Sequence, residues 1–399
     1  MKNLFFIIKE IISNNLKRIL YQLTSYPFKT DSDELHLKYS MDWLKNAYKN
    51  GDGGVASHYD LLRGKWLNPF PETTGYIIPT FFDYFHKTGD KYYFDTAIKM
   101  TDWLIKVQID NGACMQGSYD KTKGKNNPII FNTGQNIFGF LRSFKETKNE
   151  KYLQAAIKAG DFLVDCVDEN GIWNKYLHNN IPHTYNSRTS WALLQLFEVT
   201  KKKEYKKIAI SNLNWVLDQQ QKNGWFKNAN FKPGELPNTH GIAYTLRGLL
   251  ESYLLIGNEK HFNAVIKTSE KLMKLLEVRG NLFTFWDKKW KNHGKFLKNM
   301  QGRYVCLTGN IQLAIIFMKI FKVNKDLRFV NAAFKLIDFV KSTQNLTSNN
   351  PGIRGGIKGT FPVNGNYSFL KFPNWATKFF ADSIIIKSNI TEDIKFILK

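Results

Sequence analysis

Polar residues gather at six points along this chain, each just ahead of an apolar helical run. They are Glu72, Thr73, Thr74 and Tyr76; Asn132, Thr133 and Gln135; His183, Tyr185, Asn186 and Arg188; Glu235, Asn238 and His240; Arg303, Tyr304, Thr308 and Asn310; and Asn374 with Trp375. His183 and His240 hold matching places in successive segments. Together with Tyr185, Arg188, Arg303 and Tyr304 they suit a ligand that carries a carboxylate. Arginine offers a planar fork of donors to such a group, and Tyr and His are acid–base side chains. Glu72 and Glu235 supply carboxyls, and two carboxyls about 5–10 Å apart are what glycoside hydrolysis needs. Plainer roles stand beside these. Thr73, Asn132, Asn186 and Asn374 also read as helix N-caps. Glu72 would complement a helix dipole, and Trp375 is either core or a platform for a sugar ring.

The elements that must hold these residues repeat. D-K-Y-Y-F-D-T-A-I-K-M-T-D-W-L (90–104), N-E-K-Y-L-Q-A-A-I-K-A-G-D-F-L (149–163) and N-E-K-H-F-N-A-V-I-K-T-S-E-K-L-M (258–273) are variants of one polar amphipathic helix. Residues 36–44, 202–217 and 324–340 belong to the same set. Between them lie more apolar runs, among them 75–85, 136–144, 191–197, 242–255, 310–321 and 375–386. A period of about 55 residues fits a helix pair with a long loop. Amphipathic helices belong outside and apolar ones inside, and no unit can bury its apolar face alone. The pattern predicts an all-α (α/α)6 toroid of six helix hairpins over residues 35–399. A short N-terminal amphipathic helix and linker precede it (1–34). Long loops (110–130, 168–184, 218–238, 278–303 and 345–373) alternate with short returns such as 87–90, so the long loops share one face with the inner-helix N-termini. Function usually resides on such loops, and free helix N–H groups there favour anions.

Fifty-seven Lys and Arg against 34 Asp and Glu give a net charge of +23. Such a surface attracts polyanions. No basic run of five and no nucleic-acid motif appears, so the expected partner is an acidic polysaccharide or oligosaccharide, not nucleic acid. Cys114, Cys166 and Cys306 lack metal or disulfide spacing, which points to a cytoplasmic protein. No metal and no obligatory cofactor is expected, although loop carbonyls could take calcium. At the N-terminus Leu4, Ile8, Ile11, Ile12 and Leu16 fall on one helical face. That face either docks on the ring or makes a peripheral contact with a membrane surface. The segment G-I-R-G-G-I-K-G-T-F-P-V-N-G-N-Y (352–367) reads as a loop laid over the ring mouth, with Arg354 and Lys358 able to touch an anionic chain.

Three stretches carry a family likeness. F-N-T-G-Q-N-I-F-G-F-L-R-S-F-K-E-T-K-N-E-K-Y-L-Q-A-A (131–156) and G-E-L-P-N-T-H-G-I-A-Y-T-L-R-G-L-L-E-S-Y (234–253) resemble the α-toroid domain of the D-glucuronyl C5-epimerases. G-R-Y-V-C-L-T-G-N-I-Q-L-A (302–314) is similar to that family's segment with an active-site tyrosine. The likeness spans about residues 70–385 and implies Glu235 as the catalytic acid and Tyr304 as the tyrosine. Leu236 and Trp286 stand where the family pattern has tyrosine. The chain also looks like toroid proteins of bacterial surface-polysaccharide biosynthesis.

Uronate chemistry follows from this reading. The sugar carboxylate acidifies the C5 hydrogen, a base removes it, and Arg or His neutralises the growing charge. Return of the proton on the other face makes an epimerase, and loss of the C4 substituent makes a lyase. A glycoside hydrolase using Glu72 and Glu235 is the alternative, and a non-catalytic glycan-binding protein the third. An Asp-rich D-x-D-D run and a Cys/Cys/His zinc set, required by other toroid enzymes, are missing from the sequence.

Overall fold

The computed structural model of the chain describes residues 2–24, 30–124, 127–292 and 304–397. The helices are, in order, α1 (Lys2–Thr24), α2 (Asp33–Lys49), α3 (Pro71–Thr88), α4 (Lys91–Val107) and α5 (Ile130–Thr147). Then follow α6 (Glu150–Asp165), α7 (Ser187–Thr200), α8 (Lys203–Asp218), α9 (Thr239–Ile256) and α10 (Glu259–Arg279). Last are α11 (Leu307–Asn324), α12 (Leu327–Thr343) and α13 (Asn374–Ile397). From α3 onward the odd-numbered helices form the inner ring, each packed on the next, and α13 returns to α3 to close it. The fold is an (α/α)6 toroid.

Amphipathicity sorts the two layers. In α4, Thr96, Ala97, Met100 and Leu104 are buried while Asp95, Lys99, Asp102 and Lys106 stay in water, the 3.6-residue pattern of a half-buried helix. In α11 the run from Ile311 to Met318 is buried on every side. Inner helices end in a left-handed residue, at Gly89, Lys148, Lys201, Gly257 and Lys325. That cap reverses the chain within a few residues, so each inner helix pairs antiparallel with the outer helix that follows it. Residues 36–44 therefore do not pair with 75–85. α2 packs on α13 instead, and the sixth pair is assembled from the two ends of the ring.

Short strands reinforce that closure. β1 (His58–Asp60) pairs with β2 (Lys65–Trp66) on one side and with β5 (Lys371–Pro373) on the other, with Tyr59 opposite Phe372. A second ladder joins β3 (Val305–Cys306) to β4 (Thr360–Phe361).

The first-turn polar residues of the inner helices hold loops more than they cap helices. The N–H groups of Val55, Cys114 and Ile357 donate to Thr74, Thr133 and Thr377 hydroxyls at 3.0, 2.9 and 2.9 Å. The N–H of Leu282 donates to the Asn310 carbonyl oxygen at 2.9 Å. In each case a long connection is fastened to the helix it enters. The cap positions of α3 and α5 fall on Phe70 and Ile129, so Thr73 and Asn132 lie inside the first turn. Asn374 donates to Ala56 O and to Thr73 Oγ1 at 3.0 and 2.8 Å, another bond across the closure. Asn186 does occupy a cap position, without a side-chain cap bond.

Candidate active site

On the inner-helix N-terminal side the ring opens into a pocket of about 230 Å³. Its lining is Phe70, Glu72, Tyr76, Phe131, His178, Asn179, Tyr185, Phe231, His240, Tyr244, Tyr367 and Trp375. Two helix-face pairs one turn apart build its floor: Glu72 with Tyr76 on α3, and His240 with Tyr244 on α9. Side chains four residues apart lie on the same helix face. Pro71 opens α3, where its fixed φ suits a first helical residue, and Glu72 follows inside the mouth.

Glu72 is the only carboxyl among the described lining residues. Its Oε2 lies 4.0 Å from His178 Nε2. Burial pushes its pKa up to about 8, against an opposing pull from Arg188. A buried carboxyl among aromatic rings favours the neutral acid because the charged form loses its hydration. Burial and the neighbouring His183 lower the His178 pKa to about 4. Burial and Arg188 lower that of His240 to about 3. Tyr76, Tyr185, Tyr244 and Tyr367 are all raised, burial first and Glu72 contributing in each. At neutral pH the pocket thus holds neutral imidazoles and phenols, with Glu72 poised to give up a proton.

Hydrogen bonds orient these groups. Asn132 Nδ2 donates to Met115 O, which leaves its Oδ1 facing His178 Nε2 at 2.9 Å. His178 therefore carries its proton on Nε2. His183 Nε2 donates to His178 O at 2.8 Å, and its ring stacks on Tyr185 at 4.3 Å. Trp375 Nε1 donates to the Tyr367 hydroxyl at 3.0 Å, and that hydroxyl lies 2.8 Å from His240 Nδ1. The indole and the His240 ring thus share the Tyr367 hydroxyl. The Nε2 of His240 is buried without a hydrogen-bond partner.

Of the residues singled out from sequence, Glu72, Tyr76, Tyr185, His240 and Trp375 meet in this pocket. Arg188 lies directly beneath it. Its guanidinium faces the rings of Tyr76, Phe138, Trp191, Tyr244 and Phe379 and donates from Nε to Gln135 Oε1 at 3.0 Å. Gln135 is thereby fully buried as the partner of Arg188, and His183 supports Tyr185 and His178. The rest are elsewhere. Glu235 is exposed on the connection between α8 and α9, 3.8 Å from Lys232, four residues ahead of the first residue of α9. Tyr304 is buried behind the 360–367 segment, against Gly365. Asn310 is spent on Leu282 and Cys306. Arg354 is exposed beside Tyr39, and Lys358 is buried against Glu10. Arg303 lies outside the described residues.

Sequence reading did not single out Phe70, Phe131, His178, Asn179, Phe231 or Tyr244 for the site. Tyr244 was detectable as the residue one turn beyond His240, and Tyr367 as the aromatic that closes the 352–367 segment. His178, Asn179 and Phe231 reach the pocket from irregular loops, where no periodicity marks an inward side chain.

Beyond Arg188 the ring opens again into a larger cavity of about 670 Å³ at the other end of the inner helices. Four of its cations are paired, Arg142 with Asp83 at 2.7 Å, Arg247 and Lys319 with Glu251 at 2.6 and 2.8 Å, and Lys378 with Asp382 at 2.6 Å, and Lys145, Lys148, Arg188 and Lys322 also line it. The smaller pocket is the stronger candidate for acid–base chemistry because it sets a buried carboxyl with a raised pKa among aromatic rings and imidazoles. Among the described residues no group of three or more His, Cys, Asp or Glu is placed to hold a metal.

No family model and no curated protein matches the chain. Solved structures do. An unsaturated glucuronyl hydrolase specific for heparin superposes with a TM-score of 0.71 at 15% identity, over 90% of this chain and 99% of that one. The unsaturated glucuronyl hydrolase of Bacillus sp. GL1 gives 0.67 at 14%, covering 89% and 96%. Cellobiose 2-epimerase from Bacillus thermoamylovorans gives 0.69 at 12%, covering 89% and 98%. These likenesses define the class of fold, an α/α toroid shared with sugar-transforming enzymes.

Proposed function

We propose that this protein is a carbohydrate-active enzyme in which Glu72 transfers a proton to a sugar held in the aromatic pocket. The observation that carries this reading is the placement of Glu72, buried as the one carboxyl among the described lining residues of an aromatic pocket, where burial raises its pKa to about 8. A general acid works best with a pKa near the working pH. Rings on several sides give apolar faces for sugar C–H groups, and phenol and imidazole donors fix the hydroxyls. The volume suits one sugar unit.

The substrate class we infer is a uronic-acid-containing oligosaccharide. Solved neighbours include enzymes named for unsaturated glucuronyl groups. An enol-ether double bond in such a sugar accepts a proton at carbon, and water captures the resulting oxygen-stabilised cation, giving up one proton to the carboxylate that the transfer leaves behind. That chemistry needs one acid, and one acid is what the pocket presents. Hydrolysis by the pair Glu72 and Glu235 is disfavoured, because Glu235 is at the surface beside Lys232. In an epimerase or lyase the same Glu72, once ionised, would be the base at C5.

Three readouts separate these outcomes on uronate oligosaccharides. Loss of the ultraviolet absorbance of an unsaturated uronyl disaccharide supports hydration of the double bond. Deuterium entering C5 from deuterated water supports epimerisation, and new unsaturation supports a lyase. If none of these occurs with the folded protein, the enzymatic reading fails.

A further inference from the structure

The helix α1 docks through a mixed polar and apolar face and leaves an apolar one exposed. Polar residues point inward. Glu10 and Lys358 are both buried, with Oε2 and Nζ 3.6 Å apart. Asn345 donates to Glu10 Oε1 at 2.7 Å, Lys17 donates to Ser342 O at 3.1 Å, and Asn3 donates to Leu62 O at 2.8 Å. Phe6, Ile7 and Ile11 pack against the hydrophobic core on the same side. The opposite side is a stripe of Leu4, Phe5, Ile8, Ile12, Leu16 and Leu20, each between 47% and 61% exposed. At 1.5 Å per residue the stripe runs about 24 Å. A continuous exposed apolar patch of this kind marks an interaction surface.

Charge identifies what covers it. Glu10 is the only acidic residue of α1, and it is neutralised in the buried pair. Lys9 is exposed beside Phe5, and Leu62, itself 61% exposed, is followed by exposed Arg63 and Lys65. The face is apolar with a cationic fringe, on a chain of net charge +23. A second copy would set cations against cations. We propose that α1 lies in the surface of an anionic phospholipid membrane, its stripe among the acyl chains and its basic fringe at the headgroups. No described helix is long and apolar enough to cross a membrane, so the contact is in the plane. The connections that α1 grips are the same ones that carry Phe70 and Tyr367. This attachment is independent of the reaction assigned to Glu72.

The test is flotation of the full chain with vesicles, either phosphatidylcholine alone or phosphatidylcholine containing phosphatidylglycerol. The wild-type chain should float with the anionic vesicles, less with the neutral ones, and less again at high salt. The variant Ile8→Gln/Ile12→Gln/Leu16→Gln changes exposed positions only and keeps good helix formers. It should lose at least tenfold in vesicle partitioning while circular dichroism is unchanged. Absence of wild-type binding, or undiminished binding by the variant, overturns the proposal. Equal binding to both vesicle types overturns the anionic preference. A dimer seen by light scattering that the variant converts to monomer assigns the stripe to a second copy and likewise overturns it.

Discussion

The Oε2 of Glu72 lies 4.0 Å from Nε2 of His178, and at neutral pH neither group is charged. Glu72 belongs to the first turn of an inner helix and His178 to a loop more than a hundred residues later. Burial acts on both in opposite senses, raising the carboxyl to about 8 and lowering the imidazole to about 4. The result is a neutral acid beside a neutral ring, ready to release a proton only when substrate offers a better acceptor.

Replacing Glu72 with Gln should reduce turnover by about 10²–10⁴, the usual contribution of a positioned general acid. Glu235→Gln, by contrast, should leave turnover near wild type. Steady-state rates on the responsive uronate substrate check both, and the reverse ranking would remove Glu72 from its role.

The pH profile should fall on the alkaline side. A proton donor is active while protonated, so activity declines as pH passes about 8, the pKa of Glu72. If the ionised form is the working base, activity rises through the same region instead. Measured rates between neutral and alkaline pH therefore decide the direction of proton transfer.

Arg188 pulls the Glu72 pKa down. Removing that charge in Arg188→Gln should shift the alkaline limb to higher pH. A fall in rate with no displacement of the limb would mean that Arg188 acts only through packing.

Acid should destabilise the fold early. His58 and His240 are lowered to about 3, and His178 and His261 to about 4, in each case chiefly by burial. Between pH about 6.5 and 3 the unfolded chain binds protons that the folded one refuses, so stability falls as pH falls. Each such group contributes about 1.4 kcal/mol per pH unit where only the unfolded form is protonated. Urea midpoints measured from pH 7 downward should show a steep loss, shallower in His261→Gln, a site away from the pocket.

Gly112 and Gly89 separate two costs of a side chain. Both have positive φ, at 91° and 75°. A Cβ on Gly112 would come 2.1 Å from the carbonyl oxygen of Lys158 in the next outer helix, whereas one on Gly89 meets nothing within 4 Å. Gly89→Ala should cost about 1 kcal/mol in backbone strain alone. Gly112→Ala should cost clearly more, since backbone must move. Equal thermal midpoints for the two variants would contradict the close approach of the α4–α5 connection to α6.

The sequence alone established the ring. Apolar periodicity distinguishes α11 from α4, and turn lengths place the long loops on one face, because helix amphipathicity and chain reversal are local properties. It also marked Glu72, Tyr76, Tyr185, His240 and Trp375, each in or next to the first turn of an inner helix. Tertiary structure decided which of the marked residues share a space. Glu72 is the second residue of α3 and lies in the mouth, whereas Glu235 falls four residues ahead of α9, exposed on its loop beside Lys232. Loop residues such as His178 and Tyr367 gain their roles only when distant connections are brought together. The same holds for α1: its sequence shows an apolar stripe, but only the burial of Glu10 against Lys358 decides that the stripe faces away from the ring. A buried ion pair between residues more than three hundred positions apart leaves no periodic trace in either segment.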